Sequence, residues 1–427
     1  MPDISERILP HLKSTRLPGI SPDSHWQLPL YQGYSLKNLP DSLCQLLGVP
    51  PMGNAPISNE LIELCGGPYQ KVILLVMDGL GFLSLKNYLA QGLGQFWTGA
   101  ISKGLLAPLT SVSPSTTATV LTTLWTGRSP IEHGILGYEL WLKEYGVVAN
   151  MILHAPMSFN GDTGGLKRAG FQAETFLPVP TLGPYLTQKG ISVHAFMHKA
   201  IISSGLSAMH FPEVKAHAFL SPGDLWVGLR QLMENHPGEP MYTYAYWGEL
   251  DELSHHFGPS DERVALEFDA FSRSLEAGFL NRLSGKAGQK TLLLMVADHG
   301  LIDTPADPRY DLRHHPALKQ WLHIMPTGEN RLAFFYLRPE RRAQVVDYIE
   351  NTWPGEFWIT PAEALVASGI FGSEAAYEKS LDRMGDLVVL PTGQAYLWWA
   401  EKENHLLGRH GGLTPEEMLV PFVALPL

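Results

Sequence analysis

The chain has 427 residues, 45% of them hydrophobic and 17% charged, which is enough to bury a large core and too apolar for wholesale disorder. Its 31 Lys+Arg against 42 Asp+Glu give a formal net charge of -11, which opposes the phosphate-backbone attraction that a nucleic-acid polymer requires, so no such partner is expected. An acidic surface still admits a small anionic substrate where bound cations reverse the field inside one cleft.

Residues 1–66 are rich in Pro, Gly and Ser, with helices expected near "LPDSLCQLLG" and "ISNELIELCGG", and read as a wrapping segment. The start, "MPDISERILPHLKSTRLPG", lacks an apolar signal core, and no stretch is long and apolar enough to span a bilayer. Cys44 and Cys65 have no ligand partners nearby in sequence. The expectation is a protein of the reducing cytoplasm without membrane association.

From residue 67 onward, apolar β-rich runs alternate with helical patterns: "KVILLVM", "GLLAPLTSV", the helical "TTATVLTTLWTG", then "ISVHAFM", "PMYTYAYW" and "KTLLLMVA". Continuous apolar strands separated by helices predict an α/β fold, with a mostly parallel central sheet flanked by helices. Residues 301–400, with "RLAFFYLR", "PERRAQVVDYIENTW" and "EFWITPAEALVASGIFG", read as a small α+β cap insertion. The catalytic core is then expected in 67–300 and 401–427.

Chemistry-bearing residues gather at the ends of these runs. Asp78 follows "KVILLVM" directly, and Asp298 and His299 follow "KTLLLMVA". In parallel sheets, ligand sites form beyond the carboxyl ends of the strands, so these acidic tips can converge. In "DELSHHFGP", Asp251 and His255 stand four apart, which on a helix places both on one face as ligands of one metal need. His410 lies in "GRHGGLTPEE", where glycines allow a close backbone approach. Together these carboxylates and imidazoles suffice for two divalent cations; Zn2+ suits the set, as do Mn2+ and Fe2+. A two-metal site serves displacement at phosphorus. The hydroxyl-rich turn "SVSPSTT" opens a helix whose N-terminus favours a phosphoryl group, with Ser115, Thr116 and Thr117 all open as nucleophiles.

These segments, in this order, resemble the type I phosphodiesterase/nucleotide pyrophosphatase branch of the alkaline phosphatase superfamily. The motifs are "LVMDGLG", "PSTTATVLTTLWTGRSPIEHGILG", "DELSHHFGP", "ADHG" and "RHGG". The resemblance implies an alkaline-phosphatase-like core and a covalent phosphothreonine intermediate on a small phosphodiester, nucleotide pyrophosphate or phosphonate. In the family frame a Pro precedes the nucleophile and a Thr-Gly pair follows it; Pro114, Thr126 and Gly127 fit around Thr117. The resemblance further implies that Asp251, His255 and His410 hold one cation, and Asp78, Asp298 and His299, with the Thr117 oxygen, the other.

The chain departs from the family where an Asn about 21 residues past the nucleophile binds a phosphoryl oxygen. Here Tyr138 stands at that position and becomes the substrate-binding candidate. A phosphomonoesterase or phosphomutase on the same site, and a non-catalytic metal-binding relative, are the alternatives. Sulfatases need a Cys or Ser in a motif continuing Pro-Ser-Arg, whereas this chain has "SPSTT". Trp125, Tyr246 and Trp247 read as core packing. His314 and His315 in "DLRHHP" read as a solvated loop, and so does "GKAGQKT".

Overall fold

The five apolar runs, with two segments not expected as strands, Lys215–Phe219 and Leu419–Pro426, form one seven-stranded sheet in the computed structural model, which describes residues 3–20, 25–158 and 163–427. They are β1 (Lys71–Met77), β2 (Leu105–Thr110), β3 (Ser192–His198), β4 (Lys215–Phe219), β5 (Met241–Trp247), β6 (Thr291–Val296) and β7 (Leu419–Pro426). Their spatial order is β2-β7-β6-β1-β5-β3-β4. From β6 to β4 the pairing is parallel, and only β7 runs against its neighbours β6 and β2. β1, β5 and β6 are buried at every position, as strands covered on both faces must be. Each fully buried Val, Leu or Ile there contributes about 1.5–3 kcal/mol.

The period of β5 shows the two layers directly. Tyr242 and Tyr244 meet Trp125 on one face, while Trp247 stacks on Phe271 at 4.8 Å on the other. Trp125 and Trp247 are thus core residues, as their sequence context implies. β2 would be an open edge, but the N-terminal segment runs beside it. The Ile4 N–H donates to the Leu106 carbonyl at 3.0 Å and the Thr110 N–H to the Tyr34 carbonyl at 2.8 Å. Residues 1–2 and 21–24 of that segment lie outside the described residues. Cys44 and Cys65 are buried and unbridged. Among the described residues no helix is long and apolar enough to cross a membrane.

A second, antiparallel sheet of seven strands lies beside the first. Its order is Phe357–Pro361, Leu387–Pro391, Leu332–Leu337, Leu322–Glu329, Glu139–Leu142, Val147–Asn150 and Ala155–Pro156. It therefore joins strands from the 301–400 stretch to a meander from 139–156. In its own apolar cluster His315 is buried, bonded to the Arg309 carbonyl and the Tyr348 hydroxyl at 2.8 and 2.9 Å. His315 does lie in a loop, but a buried one, which corrects the expectation that it is solvated; His314 is exposed. "GKAGQKT" contains one short helical turn, Gly285–Gly288, ahead of β6.

The two sheets are tied by a fully buried ion pair. Arg331, in the turn after Glu329, places Nε 2.6 Å from Glu417 Oε1, and both side chains are 0% exposed. Removing one partner strands a charge in the interior, so Arg331→Met is expected to lower unfolding stability by about 3–5 kcal/mol. The double variant Arg331→Met with Glu417→Leu should recover much of that loss. Urea unfolding checks this, and an unchanged midpoint in the single variant would refute it.

Candidate metal centre and nucleophile

The carboxyl ends of β6, β1 and β5 lie side by side, because Met77 pairs with Trp247 and Val76 with Val296. Asp78 extends that ladder by one residue, its N–H donating to the Trp247 carbonyl at 2.9 Å. Gly79 follows with φ of 77°, and a Cβ there would lie 3.0 Å from the Asp251 Cα. Glycine is what lets the helix α2 (Glu249–Phe257) bring Asp251 against the strand tip. Asp298, beyond β6, is fixed through Oδ1, which accepts from the Gly79 N–H at 3.2 Å and the His299 N–H at 2.9 Å.

The donor atoms of Asp78, Asp298 and His299 all lie within 4.8 Å of one another, and so do those of Asp251, His299 and His410. His299 Nε2 is 3.5 Å from both Asp78 Oδ1 and Asp298 Oδ2. Its ring stacks on His410 with centroids 3.8 Å apart. His410 Nε2 is 3.9 Å from Asp251 Oδ1, and His255 Nε2 is 3.3 Å from Asp251 Oδ2. The structure thus brings the six expected carboxylate and imidazole residues together, with His299 shared by both groups and the His255 ring 5.1 Å from that of His410, centroid to centroid.

All three histidines are oriented in the same way. Nδ1 faces a backbone carbonyl in each: Gly300 for His299 at 3.2 Å, Gly408 for His255 at 2.8 Å, Ser115 for His410 at 3.1 Å. A carbonyl can only accept, so Nδ1 carries a proton in each; in His299 and His410 Nε2 then offers a lone pair, the tautomer a metal ligand needs, while Asp251 holds the His255 imidazole protonated. Meanwhile Asp78 Oδ1, Asp251 Oδ1 and Asp298 Oδ2 are buried without any hydrogen-bond partner. Orphaned carboxylate oxygens facing imidazole lone pairs fit divalent cations, which satisfy both at once.

Titration reflects the same crowding. Burial pushes the Asp78 carboxyl well above the ordinary range, and Asp298 and Asp251 add to the push. Asp298 is also raised, chiefly by burial. Burial pushes Asp251 upward too, but His255, with His410 and His299, outweighs it and holds the carboxyl below the usual range. For His255 burial acts downward and Asp251 prevails, raising the imidazole to about 9. Burial and the neighbouring His299 depress His410 well below its ordinary value.

The three hydroxyls of the nucleophile turn have different fates. Ser115 Oγ donates to the Gly412 carbonyl at 2.9 Å, and Thr116 Oγ1 donates to Glu329 Oε1 at 2.6 Å. Thr117, first residue of the helix α1 (Thr117–Thr126), instead has Oγ1 3.3 Å from His299 Nε2. Tyr138 lies one carboxylate away: its N–H donates to Glu329 Oε1 at 2.8 Å, and its hydroxyl accepts from Asn150 Nδ2. Burial, with Glu139 and Glu329 nearby, pushes the Tyr138 phenol up to about 12.

Two site residues escaped the sequence. Tyr246, expected only to pack, donates its hydroxyl to Asp78 Oδ2. The signal was available: Tyr246 pairs with Val76 across parallel strands, and a buried phenol needs an acceptor. Glu329 carried no such signal, since "TGENR" reads as a hairpin turn and its partners come from other segments.

The shifts imply a pH dependence for protein stripped of divalent cations. Asp78 and Asp298 keep their protons longer folded than unfolded, so ionising them costs stability as pH rises. The His255 contribution is complete below 6.5 and is lost as pH passes through about 9. These three act in one direction, and the opposite contributions of Asp251 and His410, whose folded values are depressed, are complete by about pH 6.5, so the chelator-treated protein should lose melting temperature between about pH 6.5 and 9, and added Zn2+ should flatten the slope. A profile that is flat before Zn2+ is added would contradict this account.

Other proteins share this architecture. Murine ectonucleotide pyrophosphatase/phosphodiesterase 5 superposes with a TM-score of 0.62 at 17% identity, over 83% of this chain and 88% of that one. The human ectonucleotide pyrophosphatase/phosphodiesterase 5 gives 0.58 at 14% identity, over 83% and 88%. Phosphonoacetate hydrolase from Sinorhizobium meliloti 1021, solved with phosphonoformate, gives 0.59 at 17% identity, over 82% and 89%. No curated protein matches in sequence. These likenesses concern the fold. The family model for type I phosphodiesterase/nucleotide pyrophosphatase matches residues 72–413, and the chain belongs to that family.

Proposed function

We propose that the chain is a two-metal phosphohydrolase acting on a small phosphodiester, nucleotide pyrophosphate or phosphonate, with Thr117 as the nucleophile and a phosphothreonine intermediate. One observation carries this reading: of three adjacent hydroxyls, only that of Thr117 faces a histidine lone pair amid orphaned carboxylate oxygens. Asp78, Asp298, His299 and Thr117 would hold one divalent cation, and Asp251, His255 and His410 the other. Zn2+ suits these donors, and Mn2+ and Fe2+ are further candidates. Bound there, the pair would supply Lewis acidity to the hydroxyl and to the leaving oxygen.

The chain's own groups account for the rest. The first turn of α1 has no side-chain cap, so its N–H groups and the helix dipole favour a phosphoryl oxygen, by about 0.3–1 kcal/mol at exposed sites. The hydroxyls of Ser115 and Thr116 are tied elsewhere and do not compete with Thr117. The Tyr138 phenol, protonated at neutral pH, is a donor for a non-bridging oxygen.

The local cations favour a monoanionic diester over a dianionic monoester. Arg331 is spent on Glu417 and Arg409 on Thr304 and Asn404, while Arg128 lies beyond the far end of α1 and is paired with Asn54 and Glu132. None of these is left to hold the extra monoester charge.

Metal-replete protein is therefore expected to cleave a chromogenic phosphodiester faster than the matching monoester, with the Thr117→Ala variant losing turnover at unchanged metal content. Metal analysis and paired rate assays decide. Full activity in the variant would remove Thr117 from its role, and faster monoester cleavage would move the assignment to the phosphatase side.

A further inference from the structure

The turn that joins Leu322–Glu329 to Leu332–Leu337 belongs to the second sheet, yet it touches the site in three places. Glu329 Oε1 accepts from the Thr116 hydroxyl at 2.6 Å and from the Tyr138 N–H at 2.8 Å. Its methylenes lie against Gly411, beside His410; a Cβ on Gly411, where φ is 105°, would come 2.7 Å from the Glu329 Cβ. Two residues on, Arg331 holds Glu417, whose Oε1 accepts from the Gly412 N–H at 2.9 Å.

Thr116 is the N-cap residue of α1, with the extended backbone (φ -139°, ψ 146°) typical of that position. A threonine there ordinarily turns its oxygen back to accept from an N–H of the first turn. Here it makes no such bond, and its hydroxyl is drawn to Glu329 instead. The consequence is a buried helix whose first turn, beginning at Thr117, has no side-chain cap.

We propose that Glu329 is a positioning residue that keeps the anion-binding N-terminus of α1 open, by holding the N-cap hydroxyl of Thr116 away from it. This rests on the reading of α1 as the phosphoryl site. A carboxylate and a carboxamide both offer the needed acceptor oxygen, so the role depends on acceptance rather than on charge. Without an acceptor at 329, the freed Thr116 hydroxyl caps its own helix and competes with the anion.

This predicts an epistasis that a merely structural residue would not show. In Zn2+-loaded protein, inorganic phosphate binding measured by calorimetry should weaken about fivefold in Glu329→Leu, the equivalent of one cap hydrogen bond. Glu329→Gln should stay near wild type. Adding Thr116→Val to Glu329→Leu removes the competing hydroxyl and should restore phosphate affinity, although the Tyr138 N–H lacks its acceptor in both variants. Unchanged affinity in Glu329→Leu, or a double variant no better than the single, would overturn the proposal.

Amide hydrogen exchange over residues 116–120, without any ligand, tests the same point independently of the phosphoryl reading. Glu329→Leu should slow exchange in the first turn by adding a cap, and the double variant should not. Absence of phosphate binding by the wild type would count against the phosphohydrolase reading, whereas identical exchange in wild type and Glu329→Leu would count against the role of Glu329.

Discussion

Three carboxylates gathered at one end of a parallel sheet, the buried Asp78 and Asp298 and the partly buried Asp251, form the constraint to which the rest of the site answers. Each has an oxygen without a hydrogen-bond partner, and they repel one another in a region that water does not screen. Such an arrangement persists only if something compensates. The chain supplies part of the answer through Tyr246 on Asp78, backbone N–H groups on Asp298 and His255 beside Asp251. What it leaves over is a set of imidazole lone pairs, and positive charge is what the whole set still calls for.

The second sheet bears on that site although it holds none of the six carboxylate and imidazole residues. Its hairpin turn reaches across with Glu329 and Arg331, and the ion pair of Arg331 with Glu417 anchors the loop that carries His410. A buried pair is a poor source of net stability, since desolvation offsets most of its attraction. Its directional bonds do fix register between sheets. The position of His410, and through it the stacking on His299, inherits that register.

How much of this was legible depended on whether the relevant partner was local. β1, β5 and β6 are apolar runs ending in an acidic residue, a Gly or an Asp-His pair, and runs buried on both faces declare themselves without any tertiary knowledge. β4, at the sheet edge and buried only at Phe219, offers no such run and was not read as a strand. The convergence of Asp78 with Asp298 followed from strand direction alone. The separate bonding of Ser115 and Thr116 did not, because their acceptors are Gly412 and Glu329, roughly two to three hundred residues away in the chain, and Thr117 stood out from them only through the family frame. Glu329 itself was invisible for the same reason. The residues of 139–156 that complete the second sheet were hidden inside a stretch whose neighbours all belong to the first.

Tyr138, the tyrosine that departs from the family pattern, has its hydroxyl oriented from one side. Asn150 has both parts of its amide committed: Oδ1 accepts from the Ile152 and Leu153 N–H groups at 2.9 and 3.0 Å, which forces Nδ2 to point at the Tyr138 hydroxyl. A phenol oxygen that accepts from an amide keeps its own proton free to donate, and a phenol pushed up to about 12 does not surrender that proton at neutral pH. The amide that the family places at this position donates directly. Here an amide one shell further out orients a hydroxyl, which would present the same donor to a phosphoryl oxygen with a longer side chain.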